Sequence, residues 1–322
     1  MRGRRVRDVG AVCGAAGLLA VVGVGGWFGL SGSEDGGAKA SYGTAAVAER
    51  LDLPWPREGQ TSVAVEGLGG LGRAGGHEPV PIASVTKVMT AYVILKEHPL
   101  ARGEQGPRIT VDTAAAEESH SLSESTAPLR EGRRHTQRQL LELLLLPSGN
   151  NVARLLARWD AGSEKAFVAK MNRAAARLGM SRTTYTGASG FEASTTSTAD
   201  DQLKLARQAM REPVLRAVVA LRSTKVPGVP GTVTNTNRLL DEPGVIGLKT
   251  GSSTPAGGNL MWAAEVTSGA RRHLVLGVVL GQRAHTNPAE GLDAALEKSG
   301  ALIEAVRTGL PAALRDGERV RT

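Results

Sequence analysis

Strand-like and helical signals occupy separate parts of this 322-residue chain, and their order limits the folds open to it. The alternating segment TSVAVEGLG, around residues 62–65, predicts a strand or hairpin. Apolar strand-like segments return at 244–250, in NLMWAAEVTS and in HLVLGVVLG, and a helix is predicted at 292–306. Between these two regions, from about residue 110 to 216, the pattern is mostly helical. This order predicts an α/β (α+β) fold: one antiparallel sheet flanked by helices, with an inserted helical lobe.

Local signals mark several element boundaries. Residues 269–272, Gly-Ala-Arg-Arg, are predicted to join the last two strands as a hairpin. Thr136, followed three residues later by Gln139, has the form of a capping box just ahead of LLELLLL. Further helices are predicted to begin near Ala83 and to cover 151–159, 164–178 and 199–210.

Composition and charge exclude some functions. The net charge of +8 could suggest nucleic acid, but the cationic residues are scattered and aromatic residues make up only 3% of the chain, so no nucleic-acid partner is expected. The six histidines are dispersed without metal-ligand spacing, and neither a metal nor another cofactor is expected. With so few aromatics, the core must consist mainly of Leu, Val, Ala and Ile.

The N-terminal segment predicts export. Four arginines within residues 2–7 precede an uncharged run at 9–30, which would span roughly 33 Å as a helix and could cross a bilayer. Positive charge on this flank keeps it in the cytoplasm, so the remaining chain should be exported. Residues 1–30 are thus a cleaved signal or a retained membrane anchor, 31–44 a flexible linker, 45–311 the globular part and 312–322 a short polar tail. Cys13 lies inside the apolar run, so the exported part can form no internal disulfide.

The segment PIASVTKVMTAYVIL, residues 81–95, carries two polar residues in an apolar helical pattern. Ser84 and Lys87 are three positions apart and so share one face of a helix. A serine hydroxyl becomes a good nucleophile when a base takes its proton, and lysine can be that base if burial or a nearby cation keeps it neutral. The alternative is an ordinary helical pair.

Two further motifs place polar groups at a turn and at a strand end. In LLLLPSGNNVARLLA, Ser148-Gly149-Asn150 puts a hydroxyl and a carboxamide into a glycine-containing turn, although either residue could simply cap the following helix. In GVIGLKTGSS, Lys249-Thr250-Gly251 ends an apolar strand. There it offers a substrate one cation, one hydroxyl and close approach to the backbone.

Taken together and in this order, the three motifs resemble those of the penicillin-recognising serine enzymes, and among them the low-molecular-mass D-alanyl-D-alanine carboxypeptidases. The segments TGASGFEASTTSTADDQLKLA and NRLLDEPGVIGLKTGSS are also similar to sequences of that family. The resemblance covers about residues 50–310. It implies a β-lactamase/DD-peptidase-like fold with the catalytic domain at 45–311.

The resemblance also implies catalytic roles. Ser84 would be the acylated nucleophile, Lys87 its general base, and Ser148 the relay that passes a proton to the departing amine.

Binding roles follow in the same way. Asn150 would hold Lys87 and the substrate amide, and Lys249 and Thr250 would bind the terminal carboxylate of the substrate. The backbone N–H groups of Ser84 and Ser252 would hold the oxyanion.

The implied reaction removes the terminal D-alanine from a peptidoglycan stem peptide ending in D-Ala-D-Ala, and β-lactams would acylate the same serine. The implied location is the extracytoplasmic bacterial cell envelope, either secreted or attached to the membrane through the N-terminal segment. Two alternatives stay open on the same fold: a β-lactamase and a non-catalytic penicillin-binding envelope receptor. A Ser-Gly-Asn middle motif, and no Glu-x-x-Leu-Asn-like segment between Ser148 and Lys249, favour the carboxypeptidase over a class A β-lactamase.

Overall fold

A computed structural model of the protein describes residues 46–319. The predicted signal or anchor at 1–30, the linker at 31–44 and Cys13 lie outside the described residues. Within residues 46–319, no helix combines the length and apolar character needed to cross a bilayer.

The strands fall at the two ends of the described chain, with short ones between. In chain order they are β1 (Gln60–Val65), β2 (Gly69–Gly75), β3 (Val80–Pro81), β4 (Arg108–Thr110), β5 (Arg134–Thr136), β6 (Thr196–Ser197), β7 (Ser223–Thr224), β8 (Val233–Thr234), β9 (Val245–Ser253), β10 (Gly257–Ser268) and β11 (Arg271–Gln282).

The helices fill the middle of the chain and its C-terminal end. They are α1 (Lys87–Glu97), α2 (Thr113–Glu118), α3 (Gln137–Leu145), α4 (Asn150–Ala161), α5 (Glu164–Arg177), α6 (Ala199–Arg211), α7 (Pro213–Val219) and α8 (Pro288–Arg319). Two 3₁₀ turns, Ala83–Thr86 and Arg238–Asp241, are also present.

One five-stranded antiparallel sheet organises the molecule, with strand order β2-β1-β11-β10-β9. Side chains alternate between its two faces, as the period-two geometry of a strand requires. On β10, Leu260, Trp262 and Ala264 pack with α8, whereas Met261 and Ala263 pack on the opposite, helical side. The sheet is therefore buried on both faces, and the predicted α/β arrangement is confirmed.

α1 is the central helix of the helical side. Residues 87–95 are all buried, and the helix packs against α3, α4, α5 and α6. Because residues 87–95 of α1 are enclosed by other helices, this part of the helix is mostly apolar, and Lys87, its one charged residue, is costly to bury.

Two helix boundaries differ from the prediction. The helix predicted to begin near Ala83 starts as the 3₁₀ turn Ala83–Thr86 and becomes α-helical at Lys87. The terminal helix, predicted at 292–306, runs from Pro288 to Arg319 and so includes part of the predicted polar tail. It continues because Leu310 and Ala313 still pack against the sheet, which outweighs the break expected at Pro311.

Other local predictions are confirmed. β10 and β11 form the predicted hairpin, but its turn consists of Gly269 and Ala270 alone, because Arg271 and Arg272 already belong to β11. Gly269 takes the left-handed φ of 58° that such a tight turn favours. Thr136 caps α3 in a complete capping box with Gln139.

Candidate active site

Ser84 and Lys87 lie where the 3₁₀ turn passes into α1. In a 3₁₀ turn, residues three apart eclipse each other, so this geometry aligns the two side chains more closely than an α-helix does. Lys87 Nζ lies 2.8 Å from Ser84 Oγ. Ser84 is partly exposed, whereas Lys87 is fully buried. The pair therefore presents a hydroxyl at the surface with an amine directly beneath it.

Lys87 Nζ has two more oxygen neighbours besides Ser84. Asn150 Oδ1 lies 2.6 Å away and the backbone carbonyl oxygen of Ser189 lies 2.8 Å away. A neutral amine has two N–H donors and one lone pair. It can donate to these two oxygens while its lone pair accepts the hydroxyl proton of Ser84. The three contacts match the needs of an unprotonated lysine.

Burial also favours the neutral form of Lys87. Desolvation, followed by the positive charges of Lys249 and Arg154, lowers the pKa of Lys87 well below its ordinary value, against a smaller raising effect of Glu124 and Glu192. A buried lysine with a lowered pKa beside a serine hydroxyl is the arrangement that activates a nucleophile.

Asn150 is the first residue of α4 and connects Lys87 to a charged cluster. Its Nδ2 donates to Glu124 Oε2 at 2.5 Å. Arg154, one helical turn further along α4, binds both carboxylate oxygens of Glu124, at 2.8 and 3.1 Å, and also Glu118 at 3.0 Å. Burial raises the pKa of Glu124, but hydrogen bonds from Arg154 and Asn150, together with nearby positive charge, outweigh burial and hold this pKa below its ordinary value. Glu124 is therefore ionised at neutral pH.

Ser148 lies in the turn between α3 and α4. Its φ of 66° is left-handed, which costs a non-glycine residue about 1–2 kcal/mol. Its Oγ is buried and makes no hydrogen bond within the described part of the chain. Unlike Asn150, Ser148 is not bonded to the Ser84–Lys87 pair. Neither residue caps α4 through its side chain, since the residue preceding the helix is Gly149.

Lys249 and Thr250 form the cationic edge of the site on β9. Lys249 lies opposite Met261 of β10, which packs on the helical side of the sheet, so both side chains project to that side. Lys249 is 1% exposed, and burial lowers its pKa to about 7. Its Nζ lies 3.4 Å from Thr250 Oγ1, and it forms no ion pair among residues 46–319. Thr250 Oγ1 is in turn 2.6 Å from Thr236 Oγ1.

Gly251 lets β9 approach the nucleophile. A Cβ at this position would lie 2.9 Å from the backbone nitrogens of Ser84 and Val85 and 3.1 Å from the carbonyl oxygen of Ile82. Only glycine fits so close to the 3₁₀ turn. The next residue, Ser252, is partly exposed on the same strand. The backbone of β9 thus lies directly beside the backbone N–H of Ser84.

The structure brings most of the predicted residues together. Ser84, Lys87 and Asn150 are joined by hydrogen bonds, and β9 with Lys249, Thr250 and its neighbours packs against the turn that carries Ser84. In the part of the chain that the structure describes, no cluster of three or more His, Cys, Asp or Glu side chains could hold a metal.

Sequence reasoning missed four contributors to the site: Glu124, Arg154, Ser189 and Thr236. Glu124 lies in a loop without periodicity, and Ser189 contributes only its backbone carbonyl, so neither gives a sequence signal. Arg154 could have been placed, because it follows Asn150 by four residues and so shares its helix face.

Comparison with known proteins identifies a matching family and several relatives. A family model described as D-alanyl-D-alanine carboxypeptidase matches residues 71–284. The chain is 36% identical over 208 residues to the D-alanyl-D-alanine carboxypeptidase DacB2 of Mycobacterium tuberculosis, covering 62% of this chain and 67% of the relative. It is 35% identical over 213 residues to a D-alanyl-D-alanine carboxypeptidase of a Streptomyces species, covering 61% and 71%.

Solved structures show the same fold. A Streptomyces DD-transpeptidase superposes with a TM-score of 0.68 at 28% identity, covering 79% of this chain and 98% of that one. Penicillin binding protein 6B of Escherichia coli superposes with a TM-score of 0.67 at 29% identity, covering 80% of each chain. The predicted DD-peptidase-like fold is confirmed, and the chain belongs to the D-alanyl-D-alanine carboxypeptidase family of serine peptidases.

Proposed function

We propose that this protein is a serine-type D-Ala-D-Ala carboxypeptidase that removes the terminal D-alanine from peptidoglycan stem peptides, and that β-lactams acylate the same serine. One observation carries the proposal. A fully buried lysine, with its pKa lowered by burial and by neighbouring cations, lies 2.8 Å from the hydroxyl of a partly exposed serine. This is the geometry of a serine nucleophile with a lysine general base.

The acylation step uses Ser84 and Lys87. Ser84 Oγ attacks the carbonyl carbon of the penultimate D-alanine while its proton passes to the neutral Nζ of Lys87. The new C–O bond forms, the peptide C–N bond breaks, and the departing amine of D-alanine takes up a proton. Ser148 would relay that proton from Lys87, and its buried Oγ, which makes no hydrogen bond within the described chain, is free for this task. Water then hydrolyses the acyl-enzyme.

The substrate carboxylate is bound by the β9 edge. Lys249 is a buried amine without an ion-pair partner among the described residues, and Thr250 supplies a hydroxyl beside it. A substrate carboxylate would favour the protonated form of Lys249 and complete the ion pair. Asn150 holds Lys87 and offers its amide to the substrate backbone. The protein should therefore prefer substrates with a free C-terminal carboxylate.

The oxyanion is stabilised by backbone donors. The N–H groups of Ser84 and Ser252 are the expected pair, and the close approach of Gly251 to the Ser84 nitrogen supports their convergence.

The protein acts on the outer side of the cytoplasmic membrane, where the peptidoglycan stem peptide is found. The arginine-flanked apolar run at 9–30 either anchors it in that membrane or is cleaved during export.

The full chain incubated with a peptide ending in D-Ala-D-Ala should release D-alanine. Ser84→Ala should release none, because the nucleophile is missing, whereas Ser181→Ala, at an exposed turn, should match the parent. Equal release from the parent and Ser84→Ala would contradict the proposal.

A labelled penicillin distinguishes the alternatives. Label that stays on Ser84 in a protein releasing D-alanine supports a carboxypeptidase. Rapid loss of the label with penicillin hydrolysis would indicate a β-lactamase, and stable label without D-alanine release would indicate a receptor.

A further inference from the structure

Glu124 contacts the reaction machinery through one hydrogen bond. Its carboxylate accepts from Asn150 Nδ2 at 2.5 Å, and the opposite end of the same amide, Asn150 Oδ1, lies 2.6 Å from Lys87 Nζ. Asn150 is buried, so its amide has no solvent with which to exchange these bonds. The amide is therefore a bridge between a carboxylate and the buried amine.

The orientation of this amide matters for Lys87. If the Asn150 amide were rotated by half a turn, its NH₂ group would face the amine and its oxygen would face Glu124. The NH₂ group would then face the N–H donors of Lys87, and the amide oxygen would face the carboxylate oxygens of Glu124. An ionised carboxylate only accepts, so Glu124 permits a single orientation, the one that presents Oδ1 to Lys87.

Arg154 keeps Glu124 in this role. It binds both carboxylate oxygens, at 2.8 and 3.1 Å, and the paired geometry fixes the carboxylate in position and direction. Asn150 and Arg154 stand four residues apart on α4, so one rigid helix carries both the amide and the cation that orients its partner.

We propose that Glu124 and Arg154 are positioning residues for acylation, which hold the Asn150 amide with its oxygen towards the general base. This inference rests on the proposed function, since it assigns a task within the same reaction.

The pair also acts on Lys87 by charge. Four charged groups face Lys87: Lys249 and Arg154 lower its pKa, and Glu124 and Glu192 raise it, all on top of the larger lowering by burial. Lys87 acts in its neutral form, so its pKa sets the acidic limb of the rate profile against pH. Removing Glu124 and removing Arg154 must therefore move that limb in opposite directions.

The experiment measures the second-order rate of acylation by a fluorescent penicillin across pH, using the full chain. Glu124→Gln should move the acidic limb to lower pH by about 0.5–1 unit, and Arg154→Met should move it to higher pH by a similar amount. Glu124→Ala, which also removes the acceptor, should slow acylation about 10- to 100-fold at the pH optimum. D-alanine release should fall in parallel.

A second ion pair on α4 provides matched controls. Arg158 binds Asp112 through two contacts of 2.7 and 2.8 Å, one turn beyond Arg154 and away from Asn150. Asp112→Asn and Arg158→Met should lower thermal stability as a lost ion pair does, without moving the limb.

The outcomes separate the two hypotheses. Slower acylation by Glu124→Ala at the pH optimum, together with opposite limb shifts for Glu124→Gln and Arg154→Met and unmoved controls, supports the positioning role. A Glu124→Ala variant that acylates at the parental rate overturns it. An unmoved limb in both variants, while Ser84→Ala still abolishes acylation, overturns the inference and leaves the proposed function standing. Shifts in the same direction also overturn it. A parent that neither binds penicillin nor releases D-alanine overturns both.

Discussion

Replacing Lys249 by methionine should stabilise the fold while it removes activity. Lys249 is buried and forms no ion pair in the described chain, so its ammonium has lost its water without gaining a carboxylate. Methionine keeps much of the apolar volume of the lysine stem and carries no charge. The free energy of unfolding should rise, because a desolvated cation is no longer buried on folding.

The magnitude follows from the pKa of Lys249, which burial lowers to about 7, against about 10.4 for an unfolded chain. At pH values between ~7 and ~10.4, the unfolded chain binds more protons than the folded one. The free-energy cost of burying Lys249 is therefore complete below pH ~7 and disappears as the pH approaches ~10.4. At about 1.36 kcal/mol per pKa unit, the upper bound on the stabilisation by Lys249→Met is about 4 kcal/mol at pH 7 and about 2 kcal/mol at pH 9. Loss of the weak contact to Thr250 subtracts about 1 kcal/mol.

The assay is urea unfolding of the parent and the Lys249→Met variant at several pH values. The variant should be more stable by about 3 kcal/mol at pH 7 and by about 1 kcal/mol at pH 9, and it should release no D-alanine. Lys225→Met, at an exposed lysine, should change stability by less than about 0.5 kcal/mol at every pH. A Lys249→Met variant that is less stable at pH 7, or a difference that does not shrink with rising pH, would refute the reasoning.

Other substitutions test the close contacts and the packing. Gly251→Ala should abolish penicillin acylation, because its Cβ would meet the backbone of the 3₁₀ turn at 2.9 Å, whereas Gly70→Ala, with no atom within 4 Å, should acylate normally. Leu302→Ala, on the buried stripe of α8, should lower the free energy of unfolding by about 2–5 kcal/mol in a urea titration while the folded fraction keeps its acylation rate. Thr136→Ala should cost about 0.5–2 kcal/mol in the same titration, since it removes the capping box of α3.

The long strands and most helices could be predicted because strand and helix signals are local. Long alternating or apolar runs, such as those of β10 and β11, predict strands without any tertiary information. The short glycine-containing segment between these two strands predicts that they pair as a hairpin. The two-residue and three-residue strands, β3 to β8, have no such signal. They exist because tertiary packing brings short extended segments side by side, as in the pairing of Val80 with Ser197.

The residues of the site could be predicted only where a motif carried them. Ser84 and Lys87 were close in sequence, so their contact followed from helical geometry. Glu124 reaches Asn150 from a loop 26 residues earlier, and no periodicity in the sequence indicates that approach. The extension of α8 past Pro311 could not be predicted for the same reason. It depends on a tertiary contact, the burial of Leu310 and Ala313 against the sheet, which the sequence of the helix does not indicate.

The pairing of β1 with β11 has a consequence for how this molecule comes into being. In the sheet, β1 lies between β2 and β11, and its Gln60 pairs with Leu280 of β11. Of the five strands, β11 is the last to be synthesised. Before β11 is synthesised, β1 and β10 each have one edge with unpaired backbone N–H and C=O groups. The nascent polypeptide must therefore avoid aggregation until β11 has been synthesised, and the sheet that carries β9 can be completed only after that strand.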